Sequence, residues 1–294
     1  MFESAIERVA QFTRPLKTIT RNYGGLVVPG SSTFFFVNNN GVAVTCKHVA
    51  VMINDAEKIN KHFIEFKRER EKFSQQGNLQ KYIKGLELKY QYRKEITVQM
   101  KHNFPDCFDN LTGITCHMHP TLDLAIIEFK GFNKLLYQSH AVFVKDSAKV
   151  KQGKYLCRIG FPFPEFNNFV HDAATDDIAF TNEGMQQCPL FPLDGIITRF
   201  VADKINDMYA IEMSTPGLRG QSGGPLFDAD GKIYGMQFAT NHLHLGFDIT
   251  DKEIISDGKK SKVSNYPFLH TGLSIHVNRI KEFLLLHNIE FAEE

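Results

Sequence analysis

The stretch TPGLRGQSGGPLFDADGKIYGM, residues 215–236, decides how this chain folds and what chemistry it can carry. Its one serine, Ser222, stands among Gly217, Gly220, Gly223 and Gly224. Pro225 follows almost at once and Asp230-Gly231 supplies hairpin-turn chemistry, so the serine leads into strands and not into a helix. Backbone N–H groups converge on one point only where the chain takes conformations that side chains obstruct, and a ligand must also approach that backbone closely. Gly220 and Ser222 are the natural amide donors to a developing oxyanion.

A serine hydroxyl is a weak nucleophile at neutral pH. It needs a base within hydrogen-bonding reach, and the base needs a group that fixes its tautomer. His48 lies in VTCKHVA, directly after the second arm of a hairpin whose turn is Asn40-Gly41. A strand end there presents it at an edge. Asp123 lies in TLDLAIIEF at the head of an apolar strand, where a partly buried carboxylate demands a partner such as an imidazole N–H. Each has a plainer reading: GQSGG as a turn, His48 as one of 12 histidines satisfied in a core, Asp123 as a strand-capping acid. Together, in the order His, Asp, Ser, they form one constellation.

Working outward, strand-like runs recur at ITVQM, DLAIIEF, KYLCRIGF, DGIITRFV, MYAIEM, KIYGMQFAT and HTGLSIHV, separated by Gly, Pro, Asn and Asp turns. Many short strands without intervening helices give an all-β class with helical additions. Phe2, Ala5, Ile6, Val9 and Ala10 predict an opening amphipathic helix that Pro15 closes, and β-structure begins from Ser32. Val277, Ile280, Phe283 and Leu284 predict a closing helix. Between Asn54 and Glu95 the texture turns to Lys, Glu and Gln, with Ile59, Phe63, Phe66 and Phe73 at helical spacing and a break at Gln76-Gly77-Asn78. This reads as a helical insertion over about 54–85, its charges a solvated face or, as the alternative, a partner-docking arm. Leu86, Leu88, Tyr90 and Tyr92 then restore the strand period.

At TCKHV, DLAII and STPGLRGQSGGPLF the sequence resembles the histidine, aspartate and serine boxes of the trypsin-like peptidase superfamily. RIGFPFP, DGIITRF and HTGLSIHVNRIKEFL resemble lesser blocks of its bacterial branch, which includes the HtrA and staphylococcal glutamyl endopeptidase domains. The resemblance runs from about Thr33 to the last helix. It implies a chymotrypsin-like double antiparallel β-barrel: residues 1–20 as helix and lead-in, 21–147 as the first barrel, 148–275 as the second and 276–294 as the C-terminal helix. Each barrel would have six strands. The implied activity is a serine endopeptidase acting through an acyl-enzyme, with Ser222 the nucleophile, His48 the base, Asp123 its orienting carboxylate, and the Gly220 and Ser222 amides the oxyanion hole.

Departures matter as well. Animal enzymes carry Asp just before the nucleophile to receive a new N-terminus, whereas this chain has Gln221 and no Ile-Val-Gly-Gly start. No zymogen cleavage of that kind is expected. Nor is a PDZ domain expected after the last helix. The specificity pocket should be walled by Pro216 and by the strand holding Gln237, Phe238, Ala239 and Thr240. None is charged, so a taste for Arg or Lys is not expected, while Gln237 and His270 would favour a polar side chain. Arg219 either lines the leaving side or is solvated.

Bulk properties agree. At 294 residues and 43% hydrophobic the chain can form two cores, and 34 basic against 33 acidic residues leave no field for nucleic acid or an anionic membrane. A protein or peptide substrate is the expected partner. Five irregularly spaced cysteines give neither a disulfide framework nor a zinc pattern, and His117/His119 and His242/His244 lack a third ligand. No cofactor or metal is expected. The opening MFESAIERVAQFTRPL lacks a secretory h-region, which points to the cytoplasm and leaves non-Sec export open. Two rivals remain: an α/β-hydrolase esterase, since GQSGG fits G-x-S-x-G, and a catalytically silent binding module on the same fold.

Overall fold

The computed structural model describes residues 1–72, 79–203 and 207–294. The chain opens with α1 (Glu3–Ala10), which buries Ala5 and Val9. The first half builds an antiparallel sheet from β1 (Thr13–Asn22), β2 (Val27–Phe36), β3 (Val42–Thr45), β4 (Thr97–Asn103), β5 (Gly113–Met118) and β6 (Ala125–Lys130). Its order is β4-β1-β2-β3-β6-β5. The helices α2 (Lys47–Lys72) and α3 (Leu79–Tyr90) are inserted between β3 and β4.

The second half contains β7 (Val142–Phe143), β8 (Tyr155–Gly160), β9 (Phe169–Asp172), β10 (Asp177–Phe180), β11 (Phe191–Ala202) and β12 (Met208–Met213). It continues through β13 (Pro225–Phe227), β14 (Ile233–His244), β15 (Ile249–Ser256), β16 (Lys259–Asn265) and β17 (Phe268–His276). The chain closes with α4 (Val277–Leu286) and β18 (Ala292–Glu293). Strands β13, β8, β11, β12, β17 and β14 pair in that order, and β14 pairs back onto β13, so six strands close into a barrel. The first sheet also has six strands, with β4 and β5 at its ends. The expected strand count is met in both halves.

A continuous apolar core joins them. Phe34, Phe35 and Phe36 are all fully buried, because adjacent strand residues point to opposite faces and both faces of β2 are covered. Phe36 stacks on Tyr137 at 3.7 Å inside the first half, while Phe35 meets Phe143 of β7 at 6.4 Å.

Several expectations need correcting. β-structure begins at Thr13, not Ser32, and Pro15 lies inside β1. The proline is tolerated because the β4 ladder starts only at Lys17, so its missing N–H falls where no strand accepts. The helical insertion begins at Lys47, earlier than 54. Leu86, Leu88 and Tyr90 belong to α3 and not to a strand: Leu86 packs in a small core with Phe63, Phe66 and Tyr92, Tyr90 joins it one turn on, and Leu88 faces solvent. The helical stripe i, i+4 had coincided with alternation. Phe73 and the break at Gln76-Gly77-Asn78 lie outside the described residues. The insertion's charges are partly engaged, since Arg70 pairs with Asp176 at 3.0 Å and Lys67 donates to the Thr175 carbonyl at 2.9 Å. Its Asn60 carboxamide exchanges two hydrogen bonds with Met100 of β4, at 2.7 and 2.9 Å, which occupies an open sheet edge. The final segment is not helix alone, because β18 pairs in parallel with β7.

His276 caps α4, its Nδ1 accepting from Asn278 N at 3.2 Å. Burial, then Arg279 and Lys281, depress its pKa to about 4. A depressed imidazole means that the unfolded chain takes up a proton first, so stability rises with pH between about 4 and 6.5. Urea unfolding should show that rise, of order 2–3 kcal/mol, and His276→Asn should flatten it. An unchanged slope in the variant would contradict this assignment.

Candidate active site

Three segments bring the expected residues to the seam between the two halves. β3 ends at Thr45, and His48 lies in the first turn of α2. The Lys47 ammonium donates to the carbonyls of His119 (2.8 Å) and Pro120 (3.1 Å), and His119 Nδ1 accepts from Leu122 N at 3.0 Å. These bonds set the turn that delivers Asp123. One Asp123 oxygen accepts from His48 N at 2.9 Å and the other meets His48 Nδ1 at 2.8 Å. A carboxylate held this way requires the proton on Nδ1 and leaves Nε2 as the acceptor. Burial alone would raise the Asp123 carboxyl, but the hydrogen bonds from His48 outweigh it and hold the pKa below the ordinary value. The His48 ring itself is half exposed, at 53%.

The serine loop is fixed from below. Thr33 of β2 donates its N–H to the Ser222 carbonyl at 2.9 Å and its hydroxyl to the Gly220 carbonyl at 2.8 Å. That hydroxyl also accepts from Phe161 N at 3.1 Å, and the Thr33 carbonyl accepts from Thr45 Oγ1 at 2.8 Å. Gly220 and Gly223 take φ of +96° and +87°. A Cβ on Gly223 would stand 1.9 Å from the Thr33 carbonyl oxygen, so this position admits glycine alone. Gly223 N and Cys46 Sγ both donate to the Gln237 carbonyl, at 2.8 and 3.3 Å, which ties the serine loop to the residue two before His48. Among the described residues, nothing accepts from the Gly220 or Ser222 amides, and the Ser222 hydroxyl and His48 Nε2 make no hydrogen bond.

The expected pocket walls are found as follows. Gln237 is buried, donates to the Ala239 carbonyl at 2.6 Å and accepts from Arg158 Nη1 at 3.0 Å. Thr240 Oγ1 reaches across to the Gly217 carbonyl at 2.6 Å, and Phe238 packs on the core. The Pro216 carbonyl accepts from Arg158 Nη2. His270 is not part of the wall: it is exposed and bonds His242 at 2.7 Å. Arg219 is exposed.

Three residues escaped the sequence reading. Cys46 was counted only as a thiol, yet its Sγ, a His48 nitrogen and an Asp123 oxygen lie within 4.8 Å of one another. Burial raises its pKa well above the usual thiol value, so it stays protonated. Thr33 gave no signal beyond preceding the phenylalanines. Arg158 did, as the one charge in the apolar run YLCRIGF.

Gly223→Ala should destabilise the fold by about 2 kcal/mol or more through backbone strain and the clash with Thr33. Chemical denaturation measures this, and a wild-type midpoint would contradict the loop geometry.

No curated protein matches the chain. It is similar to the solved structure of the HtrA-type protease AlgW with decapeptide, at 15% identity and a TM-score of 0.50, covering 97% of this chain and 66% of that one. It is likewise similar to the HtrA-type protease AlgW with tripeptide, at 15% identity and a TM-score of 0.48, covering 98% and 65%. The chain therefore spans just under two thirds of those proteins' length, and the likeness is one of fold. Strand β13 after Ser222 also rules out the nucleophile elbow of an α/β-hydrolase, which needs a helix there. A family model described as "Trypsin-like peptidase domain" matches residues 31–236, from Ser31 beside the Thr33 clamp to Met236 within β14. The fold is that of a serine protease, and the chain belongs to the trypsin-like peptidase domain family.

Proposed function

We propose that this chain is a serine endopeptidase of the trypsin-like type (EC 3.4.21) that hydrolyses peptide bonds through Ser222, His48 and Asp123. The observation that carries the reading is the two-pronged hold of Asp123 on His48, which leaves Nε2 free to take a proton, beside a loop whose Gly220 and Ser222 amides have no acceptor among the described residues. In the reaction the Ser222 hydroxyl adds to the scissile carbonyl carbon as its proton passes to His48 Nε2. The carbonyl oxygen becomes an oxyanion that the two amides receive, and Asp123 stabilises the imidazolium. His48 then protonates the leaving amine. Water, deprotonated by the same nitrogen, hydrolyses the acyl-Ser222 ester. This sequence is the general template for Ser-His-Asp enzymes, applied to the residues of this chain.

No proteolytic activation is needed in this scheme. The buried Gln221 carboxamide accepts from Leu218 N at 3.0 Å and donates to the Phe191 carbonyl at 3.1 Å, so the residue before the nucleophile is satisfied without a released N-terminus. The natural substrate is a protein or peptide. In this reading the protein is bacterial and cytoplasmic, and the insertion carried by α2 and α3 offers a docking surface to a protein partner. Among the described residues no helix is long and apolar enough to cross a membrane.

One observation favours the binding-module reading, namely that the Ser222 hydroxyl makes no hydrogen bond to His48. Resting enzymes often show such loose geometry. A fluorophosphonate should label Ser222 in the full-length, untrimmed protein. Ser222→Ala should abolish labelling and cut cleavage of a peptide library by roughly 10⁴-fold or more. Peptide binding without labelling would favour the binding module, and activity confined to an N-terminally trimmed form would overturn the activation argument.

A further inference from the structure

Within the sequence the pair His242-x-His244 has no third ligand at a recognisable interval, but the fold supplies one. Beyond Thr240 and Gly272, β14 and β17 pair only with each other among the described residues, as a two-stranded arm. In that ladder His242 stands directly opposite His270, and His244 opposite Phe268. Positions two apart on a strand share a face, and so do residues paired across a ladder. Three imidazoles and one phenyl ring therefore project from the same side of the arm, and all four residues are exposed.

The nitrogens are placed for chelation. His242 Nδ1 lies 2.7 Å from His270 Nδ1, a hydrogen bond in which two neutral rings share one proton. Two imidazole nitrogens on one first-row divalent ion stand roughly 3 Å apart, so a small opening of the pair admits an ion between them. His244 is prepared from its other side. Its Nε2 meets Asp248 Oδ1 at 2.6 Å, which keeps the proton on Nε2 and leaves Nδ1 as a lone pair. A carboxylate on the outer nitrogen fixes the tautomer of an imidazole and strengthens it as a metal ligand. Phe268 braces the group, stacking on His270 at 6.2 Å and packing against His244 at 5.2 Å. The other His-x-His pair is absorbed by its turn, because His119 Nδ1 already accepts from the Thr121 and Leu122 amides at 3.3 and 3.0 Å.

We propose that His242, His244 and His270 bind one first-row divalent ion of the kind that prefers imidazole, Zn²⁺, Ni²⁺ or Cu²⁺, through their Nδ1 atoms, with water in the remaining positions. Asp248 is a positioning residue that acts through His244. On binding, the proton shared by His242 and His270 passes to the outer nitrogen of the ring that held it, so all three rings stay neutral. The ion pins β14 to β17 two residues beyond Thr240. The site is distinct from the cluster of Cys46, His48 and Asp123, whose ligand atoms lie within 4.8 Å of one another.

The test must separate those two places. Zn²⁺, Ni²⁺ and Cu²⁺ are each titrated calorimetrically into the chelator-treated full chain, and the Cu²⁺ form is examined by electron paramagnetic resonance. One ion should bind per chain, and the Cu²⁺ spectrum should carry hyperfine splitting from three imidazole nitrogens. His242→Ala, His244→Ala and His270→Ala should each weaken binding at least roughly tenfold, and Asp248→Asn by about tenfold. His48→Ala, which breaks the other cluster, should leave affinity unchanged. All of the substituted side chains on the arm are exposed or partly so, and circular dichroism of each variant checks that the fold is retained. No binding of any of the three ions, wild-type affinity in His244→Ala or His270→Ala, a Cu²⁺ spectrum with fewer than three nitrogens, or binding abolished by His48→Ala would each overturn the proposal.

Discussion

Thr33 is the residue on which the geometry of this site depends. It is fully buried where the first sheet meets the second barrel, and its N–H, hydroxyl and carbonyl all find partners there. In a dry seam such groups must be paired, because one left unmet costs about 1–3 kcal/mol. The partners are the carbonyls of Ser222 and Gly220, the Phe161 amide and the Thr45 hydroxyl. Two of these belong to the serine loop and one lies three residues ahead of His48. A single side chain and its peptide groups therefore set the serine loop's height over the first sheet. The glycines follow as a consequence, since the close approach at Gly223 leaves no space for a Cβ.

The other half of the site is placed by helix α2. A helix that starts at Lys47 holds the His48 amide and imidazole on the same carboxylate, so Asp123 fixes backbone and ring together. The apolar cluster around Phe63, Phe66 and Leu86 anchors the far end of the insertion. Thus the insertion is continuous with the element that presents the imidazole, and its salt bridge from Arg70 to Asp176, a carboxylate that Arg21 of β1 also pairs with, joins it to the β9–β10 hairpin of the second half.

Much of this was legible in the sequence because it rests on local chemistry. GQSGG before Pro225, Asn40-Gly41 between apolar runs and an acid opening DLAIIEF each signal a backbone state, and each stands where expected. What stayed hidden depends on contacts distant in sequence. Thr33 is an unremarkable strand residue until Ser222 folds over it, and Arg158 looks like an outward-facing charge until the barrel closes around it. The misread stretch at Leu86–Tyr90 shows the limit of periodicity, because positions two apart satisfy a short alternating pattern on a helix as well as on a strand. Pro15 misled for a similar reason, as only sheet pairing reveals that its missing N–H has no partner to lose.

The central claim is that one loop, clamped by Thr33, aims the Ser222 hydroxyl and two amides at a shared point next to His48. A crystal structure of the full chain after reaction with a peptidyl phosphonate tests it most directly. The account predicts phosphorus bonded to Ser222 Oγ, with a phosphoryl oxygen about 3 Å from the Gly220 and Ser222 amide nitrogens and His48 Nε2 within hydrogen-bonding reach. An adduct on another residue, or a phosphoryl oxygen turned away from those amides while the Thr33 bonds stay intact, would contradict it.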